Sequence, residues 1–391
     1  MELKNERIQA ARHQGWPSVY AVGLSTFAVV TTEMLPVGLM TSIAGTLDIS
    51  MGIAGLMISI PALLAAFFAP FVILVAGSID RRRILTGLLV LLTAANVASA
   101  VAPSIYSLLA ARVVVGFCMG GIWAIAGGLA LRLVPIQSVG TATAIIFGGV
   151  AAASVLGVPI GAMIGELAGW RWAFGAMAIF SAIVFGLNLW ALPALPVEQS
   201  IKISKFINEI KRPSVQFGLI LTLLLVTGHF MAYTFVRPIL QTISDVPSKW
   251  ISGLLFIYGA AGIAGNFLAG LIATQRIRAT LGIIAMALVA AVLGFAFLSG
   301  TPATGIGLLF LWGLAYGGVS VTLQTWMMQA APSAIEIATA LFVSIFNIGI
   351  AAGSFTGGQI VNRFDLHTNL LLAAILPALA LMLILNIQRK H

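Results

Sequence analysis

Three side chains able to carry charge stand inside stretches where a lipid bilayer tolerates almost none. Glu33 lies eight residues before Thr41, which closes the first long apolar run; Arg112 lies eight residues after Ser104, where the fourth run begins; His229 lies eight residues before Arg237, at the end of the seventh. At 1.5 Å of rise per helical residue, each stands roughly 12 Å from the same membrane face. An unpaired charge at mid-bilayer costs about 2.5 to 3.5 kcal/mol even on the lenient insertion scale, so these residues point to work that needs charge. Burial and a neighbouring guanidinium act in opposite senses on a carboxylate's affinity for a proton, and their balance can let Glu33 load and release one. The expectation is that Arg112 approaches Glu33 in at least one state and that Glu33, Arg112 and His229 couple proton movement. The competing readings are a static Glu33–Arg112 pair that only orients helices, and a His229 that is a hydrogen-bonded structural residue.

The neighbours of these groups suggest a binding cavity. Pro36, three residues past Glu33, has no N–H for the carbonyl of Thr32, so it bends the first helix beside the carboxylate and frees a carbonyl that could face a cavity. His229, Tyr233 and Arg237 recur at four-residue spacing, and Arg112, Gly116, Met119 and Trp123 form a second stripe. The alternative for Arg237 is that it merely snorkels to the membrane interface. Trp123, Tyr233 and Trp312 are candidate aromatic walls, against a packing or lipid-facing role for the tryptophans. Asn266, Gln324 and Asn347 are candidates to bind hydroxyls. One carboxylate among aromatic rings suits a neutral or cationic small molecule with a planar ring, and the same ring faces would also stack on a sugar.

The elements that must position these groups are spanning helices. Hydrophobic residues make up 60% of the 391 residues and charged ones 8%, against about 25% charged in ordinary soluble domains. A spanning helix needs about 20 apolar residues, and twelve runs qualify: 17–41, 53–76, 84–102, 104–131, 139–165, 172–192, 214–237, 250–273, 279–299, 303–330, 337–361 and 367–387. The first run lacks the short length and small-residue site of a secretory signal. With both termini in the cytoplasm, only Arg171, Arg237, Lys249 and Arg363 of the 20 Lys and Arg fall outside, and Arg112 lies within a helix; the rest obey the positive-inside bias. That distribution accounts for the net charge of +9, which in a soluble protein would suggest nucleic acid. The single Cys118 excludes an intramolecular disulfide and reads as a small packing residue.

The chain also contains itself twice. Gly116, Gly120, Gly121 and Pro135 fall on Gly313, Gly317, Gly318 and Pro332 at one offset, and Ala142-Thr143-Ala144, Gly157 and Gly161 fall on Ala338-Thr339-Ala340, Gly353 and Gly357 at almost the same one. His229 falls on Glu33 at that second offset. Internal repeats in a hydrophobic chain mark carriers whose site lies between the repeats near the bilayer midplane. The polar, proline-bounded span 193–213 divides residues 1–192 from 214–391, giving two six-helix bundles and a cytoplasmic linker. In the linker, Ile203, Phe206, Ile207 and Ile210 with Lys202, Lys205 and Lys211 suggest a short helix lying on the membrane surface. Glycines at four-residue spacing, Gly116/Gly120, Gly157/Gly161/Gly165 and Gly353/Gly357, let helix backbones approach closely.

An enzyme is disfavoured. The chain offers no metal-ligand spacing, no phosphate-binding glycine loop and no paired carboxylates at one depth, and no cofactor or metal is expected. A passive channel is disfavoured because two pseudo-symmetric halves with buried charges suit rocking rather than a fixed pore.

These residues resemble the major facilitator superfamily, specifically its bacterial drug:proton antiporter branch, over nearly the whole chain. Leu108-x-x-x-Arg112-x-x-x-Gly116 is similar to that family's helix 4 motif, whose Arg is assigned to proton coupling. GSIDRRR at 77–83 resembles its signature loop, with Gly77 one residue closer to Asp80 than usual and Arg81 retained; the resemblance implies a gating role for Gly77, Asp80 and Arg81. GVAAASVLGVPIGAMIG resembles the exporters' antiporter motif, which implies gating by Gly157, Pro159 and Gly161 with Pro36 as the bend. TEMLPVGL, LRLVP and GELAGWR resemble purine ribonucleoside exporters, whereas GHFMAYTFVRP and ALFVSIFNIGIAAGS resemble sugar exporters. The resemblance implies an all-α, twelve-helix fold and export of a small organic solute in exchange for protons, by a monomer in a bacterial inner membrane, with a sugar as the alternative cargo. Its partners would be solute, protons and lipid, and no nucleic acid.

Overall fold

Backbone N–H and C=O groups find no water in a bilayer core, so a chain of this composition must satisfy them within helices. The computed structural model describes residues 2–75, 79–135, 138–195, 203–332 and 334–388. The described residues form helices and turns with no strand, and twelve stretches are long and apolar enough to cross a membrane. In chain order the helices are α1 (Glu2–Leu47), α2 (Met51–Val75), α3 (Arg81–Ala100), α4 (Ile105–Leu133), α5 (Val139–Ala152), α6 (Val158–Ala168), α7 (Trp170–Ala191), α8 (Ile203–Ile210), α9 (Pro213–Tyr233), α10 (Val236–Thr242), α11 (Ser248–Phe297), α12 (Pro302–Ala330), α13 (Ile335–Arg363) and α14 (Leu366–Gln388).

Four departures from regular single spans matter for the site. Helix α1 runs past Thr41 to Leu47, which sets Glu33 more than a turn deeper from that end. The fifth span is broken by a π-helical turn, Ala153–Gly157, directly ahead of Pro159, where the missing proline N–H would otherwise interrupt the ladder. The seventh span stops at Tyr233 and resumes as α10 after Thr234 and Phe235. Helix α11 crosses twice, through a non-helical Arg276.

The two halves are packed by the same contacts. A β-carbon added at Gly116 would meet the carbonyl of Pro61, and one at Gly313 that of Tyr258; at Gly120 it would meet the carbonyl of Ala65, and at Gly317 that of Gly262; Gly121 faces Leu88 and Gly318 faces Ile284. Pro61 and Tyr258, and Ala65 and Gly262, are repeat equivalents at the same offset as the glycines; Leu88 and Ile284 are equivalents at the second offset, and Gly318 also meets Ala269. Helix α2 therefore packs on α4 as the first stretch of α11 packs on α12. Gly157 closes on Thr31 of α1, and its equivalent Gly353 on Thr227 of α9. Such close backbone approach is the main packing device where lipid removes any hydrophobic drive between helices. Gly120 and Gly317 thus occupy equivalent places, as the repeats require.

The halves meet along α2 with α13, along α1 with α10, and along the fifth span with α11. Most hydrogen bonds between them lie towards the end where α1 finishes. Gly52 N donates to Asn362 Oδ1 at 3.0 Å and Ser354 Oγ to Gly55 O at 2.9 Å. Arg237, only 5% exposed, donates to Thr41 Oγ1 at 2.7 Å and to Gly38 O at 2.6 Å. Arg237 does not snorkel outwards, as its place at a span end suggested. The break after Tyr233 turns it inwards onto α1. In the linker, α8 forms and leaves Ile207 and Ile210 exposed, while Glu209 is buried and paired with Arg212 at 3.1 Å.

Candidate functional site

Helix bends set the first part of the site. In an α-helix the carbonyl of residue i accepts from the N–H of residue i+4. Pro36 withholds that donor from Thr32, and Pro61 withholds it from Met57. Arg112, fully buried on α4, supplies both: Nη1 donates to Thr32 O at 2.9 Å and Nε to Met57 O at 3.0 Å. Its Nη2 donates to the main-chain carbonyl of Glu33 at 2.9 Å. The carbonyl freed by Pro36 thus faces a guanidinium rather than an open cavity. Asn96 of α3 holds the same turn from another side, donating to Thr32 Oγ1 at 3.0 Å and to Ser181 Oγ at 3.3 Å.

The Glu33 carboxyl is 2% exposed and its Oε1 has no hydrogen-bond partner. Arg112 touches Glu33 through the main chain and forms no ion pair with its carboxylate; among the described residues the salt bridge found is Arg212–Glu209. The structure therefore brings Glu33 and Arg112 together, as their depths require, but leaves the carboxyl oxygen unoccupied. Such a group is costly unless it is protonated or finds a partner in another state.

Across the interface, α9, α11 and α12 build a column of rings. His229 stacks on Tyr316 with centroids 3.3 Å apart and planes within 8°. Its other face lies on Tyr233, 4.9 Å and 22° away, and Tyr233 stacks on Tyr258 at 4.7 Å and 24°. Trp312 stands edge-on to His229 and donates its indole N–H to His229 Nδ1 at 3.0 Å. An indole can only donate, so Nδ1 accepts and a neutral ring carries its hydrogen on Nε2. That Nε2 is buried without a partner, and so is the Tyr316 hydroxyl.

The other expected residues are distributed unevenly. Tyr233 and Trp312 meet at 5.9 Å, but both faces of Tyr233 are covered by rings and Trp312 is fully buried. Trp123 is half-buried, three turns further along α4 than Arg112, roughly 16 Å away by helical rise. Asn347 is buried, with Nδ2 bonded to Val343 O and Oδ1 without a partner; Gln324 is half-buried and Asn266 exposed. Asp80 caps α3 through Arg82 N at 2.8 Å and takes Leu195 N at 3.0 Å, while Arg81 N donates to Leu195 O, so this loop is tied to the end of its own half. Gly77 lies outside the described residues. Gly157 and Gly161 press on Thr31 and Leu35, the residues flanking Glu33 on α1, with Pro159 between them. Tyr258, Tyr316, Pro61 and Asn96 were not singled out in the sequence; a tyrosine or asparagine in mid-span is the signal that could have found three of them.

Comparison with known proteins agrees with this architecture. The model of the Major Facilitator Superfamily matches residues 22–354. The chain is 32% identical over 380 residues to the "Transcription regulatory protein OpdE" of Pseudomonas aeruginosa, covering 96% of this chain and 94% of that one. Among solved structures it is similar to a variant of the nucleoside transporter NupG, with TM-score 0.74 and 14% identity over 95% of this chain and 99% of that one. It is also similar to a bacterial homolog of the human lysosomal transporter Spinster in an inward-facing and unoccupied conformation, with TM-score 0.73 and 14% identity over 95% and 96% of the two chains. At that identity the structural likenesses show the fold alone.

Proposed function

The chain belongs to the Major Facilitator Superfamily, and from that premise we propose that it exports a small organic solute from a bacterial cytoplasm in exchange for external protons, by alternating access. The observation that carries this reading is the Glu33 carboxyl, buried within the first membrane span with Oε1 unpartnered. A proton neutralises it there, and its release elsewhere in the cycle is what a coupled carrier needs. Residues 1–192 and 214–391 rock as two bodies about the linker 193–213, as a monomer in the inner membrane. With both termini cytoplasmic, the latch of Arg237, Thr41 and Asn362 is periplasmic, and breaking it opens the outward-facing state.

The solute in this reading is a neutral or cationic molecule with a planar ring, a purine nucleoside or an aromatic drug. It stacks on Tyr316, the half-buried ring that ends the column, rather than on Tyr233, whose faces are occupied. The open groups on Glu33, His229, Tyr316 and Asn347 supply its hydrogen bonds. A carrier that changes the cytoplasmic level of a small effector alters transcription indirectly, which accommodates the name of the Pseudomonas relative. Transport into everted vesicles under an imposed pH gradient, run against nucleosides, sugars and cationic drugs, tests the proposal. The expected result is saturable, gradient-dependent uptake of a ring-bearing solute; uptake confined to sugars would overturn the cargo, and non-saturating flux would overturn the carrier.

A further inference from the structure

We infer that Arg112 is a positioning residue which clamps α1 and α2 through the carbonyls that Pro36 and Pro61 leave without helical donors, and that ion pairing with Glu33 is not its role. Each of its three side-chain nitrogens donates to a main-chain oxygen, of Met57, Thr32 and Glu33, at 2.9 to 3.0 Å. Two of these oxygens are the ones a proline at i+4 has orphaned. A carbonyl buried without a donor is unfavourable, and a guanidinium, with donors fanned in a plane, can serve carbonyls on two helices at once. Gly116, one turn on from Arg112, presses against the carbonyl of Pro61, so α4 is already seated where the side chain must reach.

The second half of the chain supplies an internal control. The repeat equivalents of Arg112, Pro36 and Pro61 are Leu309, Ala232 and Tyr258. The arginine and both prolines are therefore absent together. Ala232 and Tyr258 lie within helices and carry the N–H groups that the prolines lack, and Leu309 is fully buried with no cation needed. A proton relay would need the arginine but neither proline, and Pro61 would then have no reason to stand beside it. Another mid-helix proline, Pro70, orphans the carbonyl of Ala66, which is taken by Ser344 Oγ of α13 at 2.8 Å instead. The clamp fixes the turn of α1 that carries Glu33, so Arg112 acts on the carboxyl through its main chain.

The inference is tested in the full-length protein by the fraction that remains monodisperse in detergent after heating, a readout independent of any proton coupling. Arg112→Leu should lose most of that fraction. Restoring the helical donors in Arg112→Leu/Pro36→Ala/Pro61→Ala should recover much of it, while Arg112→Leu/Pro70→Ala and Arg112→Leu/Glu33→Gln should not. If Arg112→Leu fails to fold at all, the appearance of a monodisperse peak in the triple variant alone reads the same result. Recovery by Glu33→Gln in place of the proline changes would make Arg112 the ion-pair partner, and equal recovery by Pro70→Ala would make the rescue unspecific. Either outcome, or an Arg112→Leu protein as stable as the native one, overturns the clamp.

Discussion

At the scale of residues, the site separates groups that hold the structure from groups held open. The Trp312 N–H on His229 Nδ1 belongs to the first kind. Trp312→Phe keeps an aromatic ring but strands a buried acceptor, which costs about 1 to 3 kcal/mol, and leaves a cavity where the rest of the indole stood; it should lower the thermal midpoint of the purified protein, measured by unfolding in detergent. The Tyr316 hydroxyl belongs to the second kind, because it is buried with nothing to bond. Tyr316→Phe should therefore leave the midpoint unchanged or raise it, and should raise KM for the solute. A fall in stability with unchanged KM would make the hydroxyl structural. Glu33, Arg112 and His229 were legible in the sequence because a charge in an apolar span is conspicuous by type. Their actual partners were not. That Arg112 binds carbonyls rather than a carboxylate depends on Pro61 of a different helix, and the stacking of Tyr258 and Tyr316 depends on which faces of α11 and α12 turn inwards.

At the scale of elements, the glycine stripes are the devices that bring helices into contact, and the repeat equivalents differ in what they meet. A β-carbon at Gly157 collides with the side chain of Thr31, whereas one at Gly353 collides with the backbone carbonyl of Thr227. Gly157→Ala should thus destabilise the protein and be partly rescued by Thr31→Ala, while Gly353→Ala should destabilise it and not be rescued by Thr227→Ala. Thermal midpoints of the four variants check this, and equal rescue in both halves would contradict it. Apart from the far end of α1, the spans themselves were legible to within a few residues, because apolar length is a composition property. The break after Tyr233, which lets Arg237 reach α1, and the π-turn before Pro159 were not, since both depend on how the helical ladder adjusts around a proline, Pro238 in the first case and Pro159 in the second.

At the scale of the whole molecule, the two halves are closed on each other where α1 finishes, with Arg237 of one half on Gly38 and Thr41 of the other. Arg237→Ala removes both bonds. In a Cys118→Ser background, spin labels at the exposed positions Thr46 and Lys249 should then report a shift towards longer distances by pulsed electron resonance; an unchanged distribution would leave Arg237 no part in the latch. The duplication that underlies this architecture was legible chiefly from the glycines, since their spacing records backbone contacts. The conformation was not legible, because it depends on which of two sets of contacts between the halves is made.

The central claim is that a proton on Glu33 drives export, and Glu33→Gln isolates it because the amide keeps the shape and removes the titrating group. The measurement is transport by the reconstituted variant in two modes, net flux driven by a pH gradient and exchange of labelled for unlabelled solute at equal pH. The account predicts that gradient-driven flux is lost while exchange persists, since rocking of the loaded carrier needs no proton cycle. Gradient-driven flux at the native rate, with unchanged pH dependence, would contradict it and leave Glu33 a structural residue.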